Sequence, residues 1–152
     1  AIGSAFEEAG MHCIVSDNIM GVIWDKLLVN VATGAVCGIT HLPYGDMYQE
    51  DKLVATAVAA VQEGMDVAAK AGVKLTYSDP MDVLELARAG LPYDFKPSIL
   101  QSLEKHRPTE VGVINGAVVA QGAKHGVATP VNETLVACVT GIERYIREYI
   151  NK

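Results

Sequence analysis

The sequence predicts an all-α domain with a stray β-element at its front, and three observations predict it. Helix start and stop signals recur from residue 17 onward, the stretches between them carry apolar residues at helical spacing, and only one short run near the front alternates convincingly like a strand. A chain of 152 residues, half of them hydrophobic, is long enough for one packed core and short for two ordinary ones. A charged fraction of 20 % and a mean hydropathy of +0.22 exclude wholesale disorder.

The chain opens with Ala1-Ile2-Gly3 and runs into a helix-like segment, Ser4 to Ala9. After Gly10, Met11-His12-Cys13-Ile14-Val15 alternates as a single strand, and Val73-Lys74-Leu75-Thr76-Tyr77 is the other candidate. A lone strand leaves its backbone groups unsatisfied, so residues 1–16 read as the tail of a preceding domain and 17–152 as the helical unit.

From there the elements follow in order. Asp17 is positioned to cap a long helix from about Asn18 to Cys37, broken by Pro43. A short turn over Pro43 to Met47 leads to a second long helix, about Glu50 to Lys70, closed by Ala71-Gly72. Ser78-Asp79-Pro80 starts a helix that Gly90 ends, with Pro80 at the first helical position. Ser98-Ile99-Leu100-Gln101 fits a capping box for a helix to about His106. Thr109 opens another helix to His125-Gly126, and Thr129-Pro130 starts the last, to about Ile150.

Composition narrows the function classes. A net charge of −6 argues against non-specific nucleic-acid binding and against docking on an anionic membrane. The apolar stretch Leu53 to Val61 is half of what a membrane span needs. Cys13, Cys37 and Cys138 are odd in number, lie in apolar contexts and lack a C-x-x-C pair, so they read as buried thiols in a reducing, cytoplasmic setting. His12, His41, His106 and His125 lie far apart without metal spacing, so no metal is expected. No Gly-x-Gly-x-x-Gly, Walker motif or nucleophile elbow occurs.

Three polar residues stand out on the first long helix. Lys26, Asn30 and Thr33 fall within roughly 60° of one another on a helix that is otherwise apolar or small. Such groups must be paired or must face a wet cleft, because burial alone costs several kcal/mol. Lys26 could bind a carboxylate or donate a proton, or it could snorkel to solvent while Asn30 bonds to a neighbouring backbone. Ser98 and Glu110 admit the same pair of readings. Ser98 could be a helix cap and Glu110 a favourable charge at a helix start, or both could meet a ligand.

Taken together, the residues resemble a known family. Trp24-Asp25-Lys26-Leu27-Leu28-Val29-Asn30 is similar to the W-x-K-x-x-x-N signature of the C-terminal domain of ketopantoate reductases (2-dehydropantoate 2-reductases). Glu63, Ala71-Gly72, Pro97 to Gln101, Arg107-Pro108-Thr109-Glu110, Ile114-Asn115-Gly116 and Gly126 to Asn132 follow that family's order across essentially the whole chain. The resemblance implies a helical, bundle-like C-terminal domain of a 6-phosphogluconate-dehydrogenase-like enzyme, preceded by a remnant helix and strand of a Rossmann domain.

It further implies an NADP-dependent oxidoreductase converting ketopantoate to pantoate in pantothenate biosynthesis, with NADP held mainly by the Rossmann domain and the chain inactive without it. Expected partners are a 2-oxo acid, that domain and a second copy of the chain. Lys26 and Glu110 would be catalytic, with Glu110 also lining the cofactor side near Lys26. Asn30 and Ser98 would hold substrate. A nearby ammonium suits this chemistry, because hydride addition to a 2-oxo acid builds negative charge on the carbonyl oxygen. Two other readings are a related dehydrogenase for another 2-oxo or 2-hydroxy acid and a non-catalytic helical interaction module.

The chain departs from the family at Gly34, where many members carry a second asparagine, and at Ser102, where an aspartate is usual. Either a helix packs very closely at Gly34, or the cleft is widened there for a bulkier or less polar substrate, and the widened cleft is the expectation taken forward.

Overall fold

The computed structural model describes residues 2–151; Ala1 and Lys152, the outer ends of the two expected segments, lie outside them. Eight helices follow one another: α1 (Ile2–Glu8), α2 (Ile19–Thr40), α3 (Tyr44–Met47), α4 (Asp51–Lys70), α5 (Pro80–Arg88), α6 (Ser98–Glu104), α7 (Asn115–His125) and α8 (Pro130–Tyr145). A π-helical turn, Ile146–Ile150, extends α8. The expected all-α architecture is present.

Helix α2 is the axis of the fold. Every residue from Val31 to Gly38 is buried, and α4, α5, α6 and α8 pack around it. Small side chains make this possible. A Cβ placed on Gly38 would lie 2.7 Å from Ile99 Cγ2 and 3.3 Å from Leu103 Cδ1, so side chains of α6 seat directly on the α2 backbone. One turn earlier a Cβ on Gly34 would lie 3.1 Å from Ile99 Cδ1. On the other side Gly64 of α4 receives Leu28, whose Cδ2 would stand 2.5 Å from an added Cβ. By length and apolarity α2 could cross a bilayer, contrary to the expectation drawn from Leu53 to Val61, but 56 % of its most apolar window is buried against other helices. That burial fits a core helix.

The boundaries differ from expectation in four places, each with a local cause. Asn18, not Asp17, caps α2: its Oδ1 accepts from the Gly21 amide at 3.3 Å while its Nδ2 donates to the Lys74 carbonyl at 2.8 Å. An amide offers both an acceptor and a donor, which a carboxylate does not. No strand forms among the described residues. Residues 73–77 alternate in burial, yet their backbone is met by side chains of α2 and its cap, the Thr76 amide donating to Asp25 at 3.1 Å. Residues 11–15 have no neighbouring strand to pair with.

Residues 109–114 form turns, and α7 begins only at Asn115. Thr109 Oγ1 accepts from the Val111 amide at 3.2 Å, and the Thr109 amide donates to Glu143 at 2.6 Å, so side chains take groups that a helix would use. At α6 the cap position is Pro97, with Ser98 the first helical residue; Gln101 Nε2 donates to the Lys96 carbonyl at 2.8 Å. The expected capping box is not made.

Where Thr129-Pro130 starts α8, the cap comes from another helix. The Glu63 carboxylate of α4 accepts from the backbone amides of Val131 (2.8 Å) and Asn132 (3.0 Å) and from Asn132 Nδ2 (2.7 Å). A negative charge at a helix N-terminus is electrostatically favourable, and these are charge-assisted bonds. Asn132 Nδ2 also reaches the Ala60 carbonyl at 3.0 Å, and its Oδ1 accepts from Asn115 Nδ2 at 3.0 Å. One buried network therefore joins α4, α7 and α8.

Gly38→Ala is expected to destabilise the fold by about 1–2 kcal/mol, because the branched Cγ2 of Ile99 cannot swing clear of the new methyl. Gly34→Ala meets only the terminal methyl of Ile99 and gains up to about 1 kcal/mol of helix propensity, so it should be close to neutral. Urea unfolding of both variants measures the difference, and equal losses would contradict this packing account. Glu63→Ala is expected to cost about 2–4 kcal/mol in the same assay, with Glu63→Gln intermediate because it keeps one acceptor oxygen.

Candidate active site

The crossing of α2 and α6 opens a cleft of about 290 Å³. Helix α2 contributes Val29, Asn30, Thr33 and Gly34 to its wall, α6 contributes Ser98 and Ile99, and Tyr44, Ala87, Leu91, Phe95, Pro97 and Ile114 complete it. Asn30 and Ser98 are far apart in sequence and come to the same space. Both side chains are exposed, and neither has a hydrogen-bond partner among the described residues.

Lys26 lies one helical turn before Asn30, on the same side of α2 and outside the cleft wall. It is exposed and makes no ion pair among the described residues. Glu110 is exposed on the turn that leads to Ile114; its carbonyl accepts from the Val113 and Ile114 amides, and its carboxylate has no partner among the described residues. The expected proximity of Glu110 to Lys26 does not amount to an ion pair in this structure. The structure thus brings two of the four candidate residues into one cleft, sets a third one turn away, and leaves the fourth on a neighbouring turn.

Sequence reasoning missed the layer that shapes this cleft. Tyr44 OH and Thr33 Oγ1 share a hydrogen bond of 2.7 Å, both side chains being buried. The Tyr44 ring meets Phe95 edge-on at 4.9 Å and Tyr48 at 5.9 Å. The loop carrying Leu91 and Phe95 is pinned to α3: the Tyr44 amide donates to the Phe95 carbonyl at 3.0 Å and the Gly45 amide to the Tyr93 carbonyl at 2.7 Å. The Tyr93 ring lies directly over Gly45, where no side chain would fit. Pro97 and Gly90 mark that loop in sequence, but nothing local says which helix it returns to.

Gly34 lies in the cleft wall and beneath the end of Ile99 at once: an added Cβ would stand 3.1 Å from Ile99 Cδ1, so close packing is present there beside the open space.

A larger cleft of about 390 Å³ lies beyond Tyr44 and Leu91, lined also by Tyr48, Gln49, Arg88 and Tyr93. Its polar groups are already engaged. Arg88 Nε donates to Glu85 at 2.7 Å and the guanidinium sits 5.1 Å over the Tyr48 ring, while Tyr93 OH donates to Asp46 at 2.7 Å and accepts from Gln49 at 2.6 Å. Of these two, the cleft with free hydrogen-bonding side chains is the smaller one; a third, of about 330 Å³, shares Ser98 with it and is lined also by Ser102, Lys105 and Arg107.

Burial shapes the electrostatics behind the cleft. It pushes the Cys37 thiol up to about 12 and raises the Tyr44 hydroxyl, the latter partly offset by the bond with Thr33. No group of three or more His, Cys, Asp or Glu side chains suited to a metal occurs among the described residues. The arrangement offers a small cleft with two free hydrogen-bonding side chains and an ammonium nearby, which is chemistry for holding and protonating an oxygen-rich anion.

Comparison with known proteins agrees in one direction. The family model described as "Ketopantoate reductase PanE/ApbA C terminal" matches residues 18–143. A 2-dehydropantoate 2-reductase of Archaeoglobus fulgidus is 31 % identical over 142 residues, 93 % of this chain and 47 % of that protein. The crystal structure of a ketopantoate reductase from Ralstonia eutropha JMP134 superposes with a TM-score of 0.85 at 30 % identity, over 97 % of this chain and 49 % of that one. A D-mandelate dehydrogenase solved with NADH and anilino(oxo)acetate gives 0.82 at 28 % identity, over 96 % and 48 %. The chain spans about half the length of the relatives it matches.

The raised Cys37 thiol sets the direction of a pH effect. Above about pH 9 the unfolded chain gives up this proton while the native chain holds it to about pH 12, so the native state binds more protons and stability falls as pH rises. The expected slope from this group is about 1.4 kcal/mol per pH unit, absent below pH 9. Urea unfolding across that range, with and without Cys37→Ala, measures it; an unchanged slope in the variant would contradict the assignment.

Proposed function

The chain belongs to the ketopantoate reductase family through that family's C-terminal domain, and from this membership we propose that it forms the substrate side of a reductase converting a 2-oxo acid of the ketopantoate type to its 2-hydroxy acid. The observation that carries this reading is the convergence of Asn30 and Ser98 on one cleft, both with free side chains, one turn from an unpaired lysine.

Each residue has a defined task in that reaction. The Ser98 hydroxyl donates to the substrate carboxylate, and the Asn30 amide holds the carboxylate–carbonyl end so that its plane is fixed. The Lys26 ammonium stabilises the charge that develops on the carbonyl oxygen and delivers its proton there, then recovers a proton from water. NADPH, when bound, supplies the hydride that adds to the carbonyl carbon. The products are the 2-hydroxy acid and NADP, one proton being taken from solution.

Cofactor fit is partial and falls on one end of the molecule. The exposed, unpartnered Glu110 carboxylate suits a ribose hydroxyl. The chain has no Gly-x-Gly-x-x-Gly turn for the phosphates, so in this reading they are held by a dinucleotide-binding domain, residues 1–16 being the approach to it and 17–152 the helical domain. Ile19, Met20, Val22 and Ile23 are each more than half exposed at the start of α2. An apolar patch of this kind supports packing against such a domain or against a second copy. Of the three thiols expected to be buried only Cys37 is, Cys13 being half-buried and Cys138 exposed; a cytoplasmic setting and a place in pantothenate biosynthesis are what this activity implies.

In the reductase carrying this chain, Lys26→Ala is expected to lower kcat by a factor on the order of 10² or more, while NADPH affinity changes little. The lysine acts mainly on charge present only in the transition state, so steady-state turnover and a fluorescence titration with NADPH should respond differently. Near-normal turnover would return Lys26 to the role of a solvated helix residue; absence of turnover in the unsubstituted protein is the result that would favour the interaction-module reading.

A further inference from the structure

We propose that the buried hydroxyl pair Thr33–Tyr44 is the third polar contact of the Asn30–Ser98 cleft and holds the tail hydroxyl of the 2-oxo acid. The proposal rests on the reductase reading above and names, within it, the residues that select a hydroxylated tail.

A count of protons carries the argument. Thr33 Oγ1 and Tyr44 OH share one bond of 2.7 Å and have no other hydrogen-bond partner among the described residues. Two hydroxyls bring two protons, and a mutual bond spends one of them. Burial raises the Tyr44 hydroxyl above its ordinary range, so both protons are present at neutral pH. One O–H and the lone pairs beside it are left over. The two residues are 1 % and 7 % exposed, and a buried O–H without an acceptor costs about 1–3 kcal/mol.

The cleft is where that capacity can be met. Both residues line it, and Thr33 borders neither of the two neighbouring clefts. Thr33 follows Asn30 by three residues, about 4.5 Å of helix rise. In a ketopantoate-type acid the tail hydroxyl is carried on the second carbon beyond the carbonyl, a comparable reach. With the carboxylate end at Asn30 and Ser98, the methyl groups of such an acid meet Val29, Ile99 and Ile114 while its hydroxyl meets the pair. The assignment also bears on Gly34. Helix α2 carries no amide there, and the hydroxyl of the adjacent Thr33 takes the place of that donor.

A matched pair of substrates tests this. Trimethylpyruvate is ketopantoate without its hydroxyl, so the two differ only in the feature at issue. With the reductase carrying this chain and NADPH, kcat/KM for ketopantoate is expected to exceed that for trimethylpyruvate by roughly tenfold or more. The double variant Thr33→Val/Tyr44→Phe removes both hydroxyls and keeps the ring against Phe95, and it is expected to cut that ratio by roughly tenfold. Thr33→Ser retains the hydroxyl and is expected to retain the preference. A ratio at or below one in the unsubstituted protein overturns the assignment whether or not the double variant folds, and leaves the reductase reading standing. A ratio unmoved in the double variant makes the pair a structural tie and overturns the assignment as well. So does a preference lost equally in Thr33→Ser, which would trace it to packing. Failure of the unsubstituted protein to reduce either acid while NADPH binds overturns the reductase reading itself, and the assignment with it.

Discussion

The seating of α6 side chains directly on the α2 backbone is the constraint from which the rest of the molecule follows. Two glycines one turn apart, Gly34 and Gly38, let Ile99 and Leu103 lie against the α2 backbone. Glycine inside a helix costs about 1 kcal/mol relative to alanine. Fully burying Ile99 and Leu103, each about 1 % exposed, returns roughly 1.5–3 kcal/mol apiece. The same contact sets the site. Ser98 precedes Ile99, so the depth at which Ile99 seats determines where the Ser98 hydroxyl stands relative to Asn30.

A second constraint acts elsewhere in the bundle. Helices α4, α7 and α8 meet through Glu63, Asn132 and Asn115 and not through apolar contact alone. Directional bonds of this kind fix rotation as well as distance, which hydrophobic packing does poorly. The network carries one unsatisfied atom, Asn115 Oδ1, buried without a partner. Ile114, the residue before it, belongs to the cleft wall, so the network that orients α7 also places one side of the site.

What could be read from the sequence follows the range of the interactions involved. Pro80 with Asp79, Gly72, Gly90, Gly126 and Pro130 mark helix ends through backbone chemistry within a few residues, and α4, α5 and α8 were legible on that basis. The cap of α2 and the turn over residues 109–114 were not, because Asn18 answers to Lys74 and Thr109 to Glu143, partners remote in sequence. Asn30 and Ser98 were singled out because their order along the chain resembles a family; no periodicity puts them side by side. Leu91, Phe95 and Tyr44 escaped notice for the same reason, since an aromatic in a loop gives no sign of which helix it will cover. The packing of Ile99 against Gly34 is hidden in the sequence, because the two residues are far apart along the chain.

The burial pattern of α2 divides one helix between two jobs. Its second half, Val31 to Gly38, is enclosed on all sides. Its first turns are held on one face only, by Trp24 and Leu28 in the core and by the bonds of Asn18 and Asp25 to residues 74–76, while Ile19, Met20, Val22 and Ile23 face outward. Asn30 sits where the full enclosure begins, and Lys26 lies one turn earlier, on the half-open part. A single helix is therefore axis of the core at one end and part of the surface at the other, and the polar stripe lies at the passage between the two.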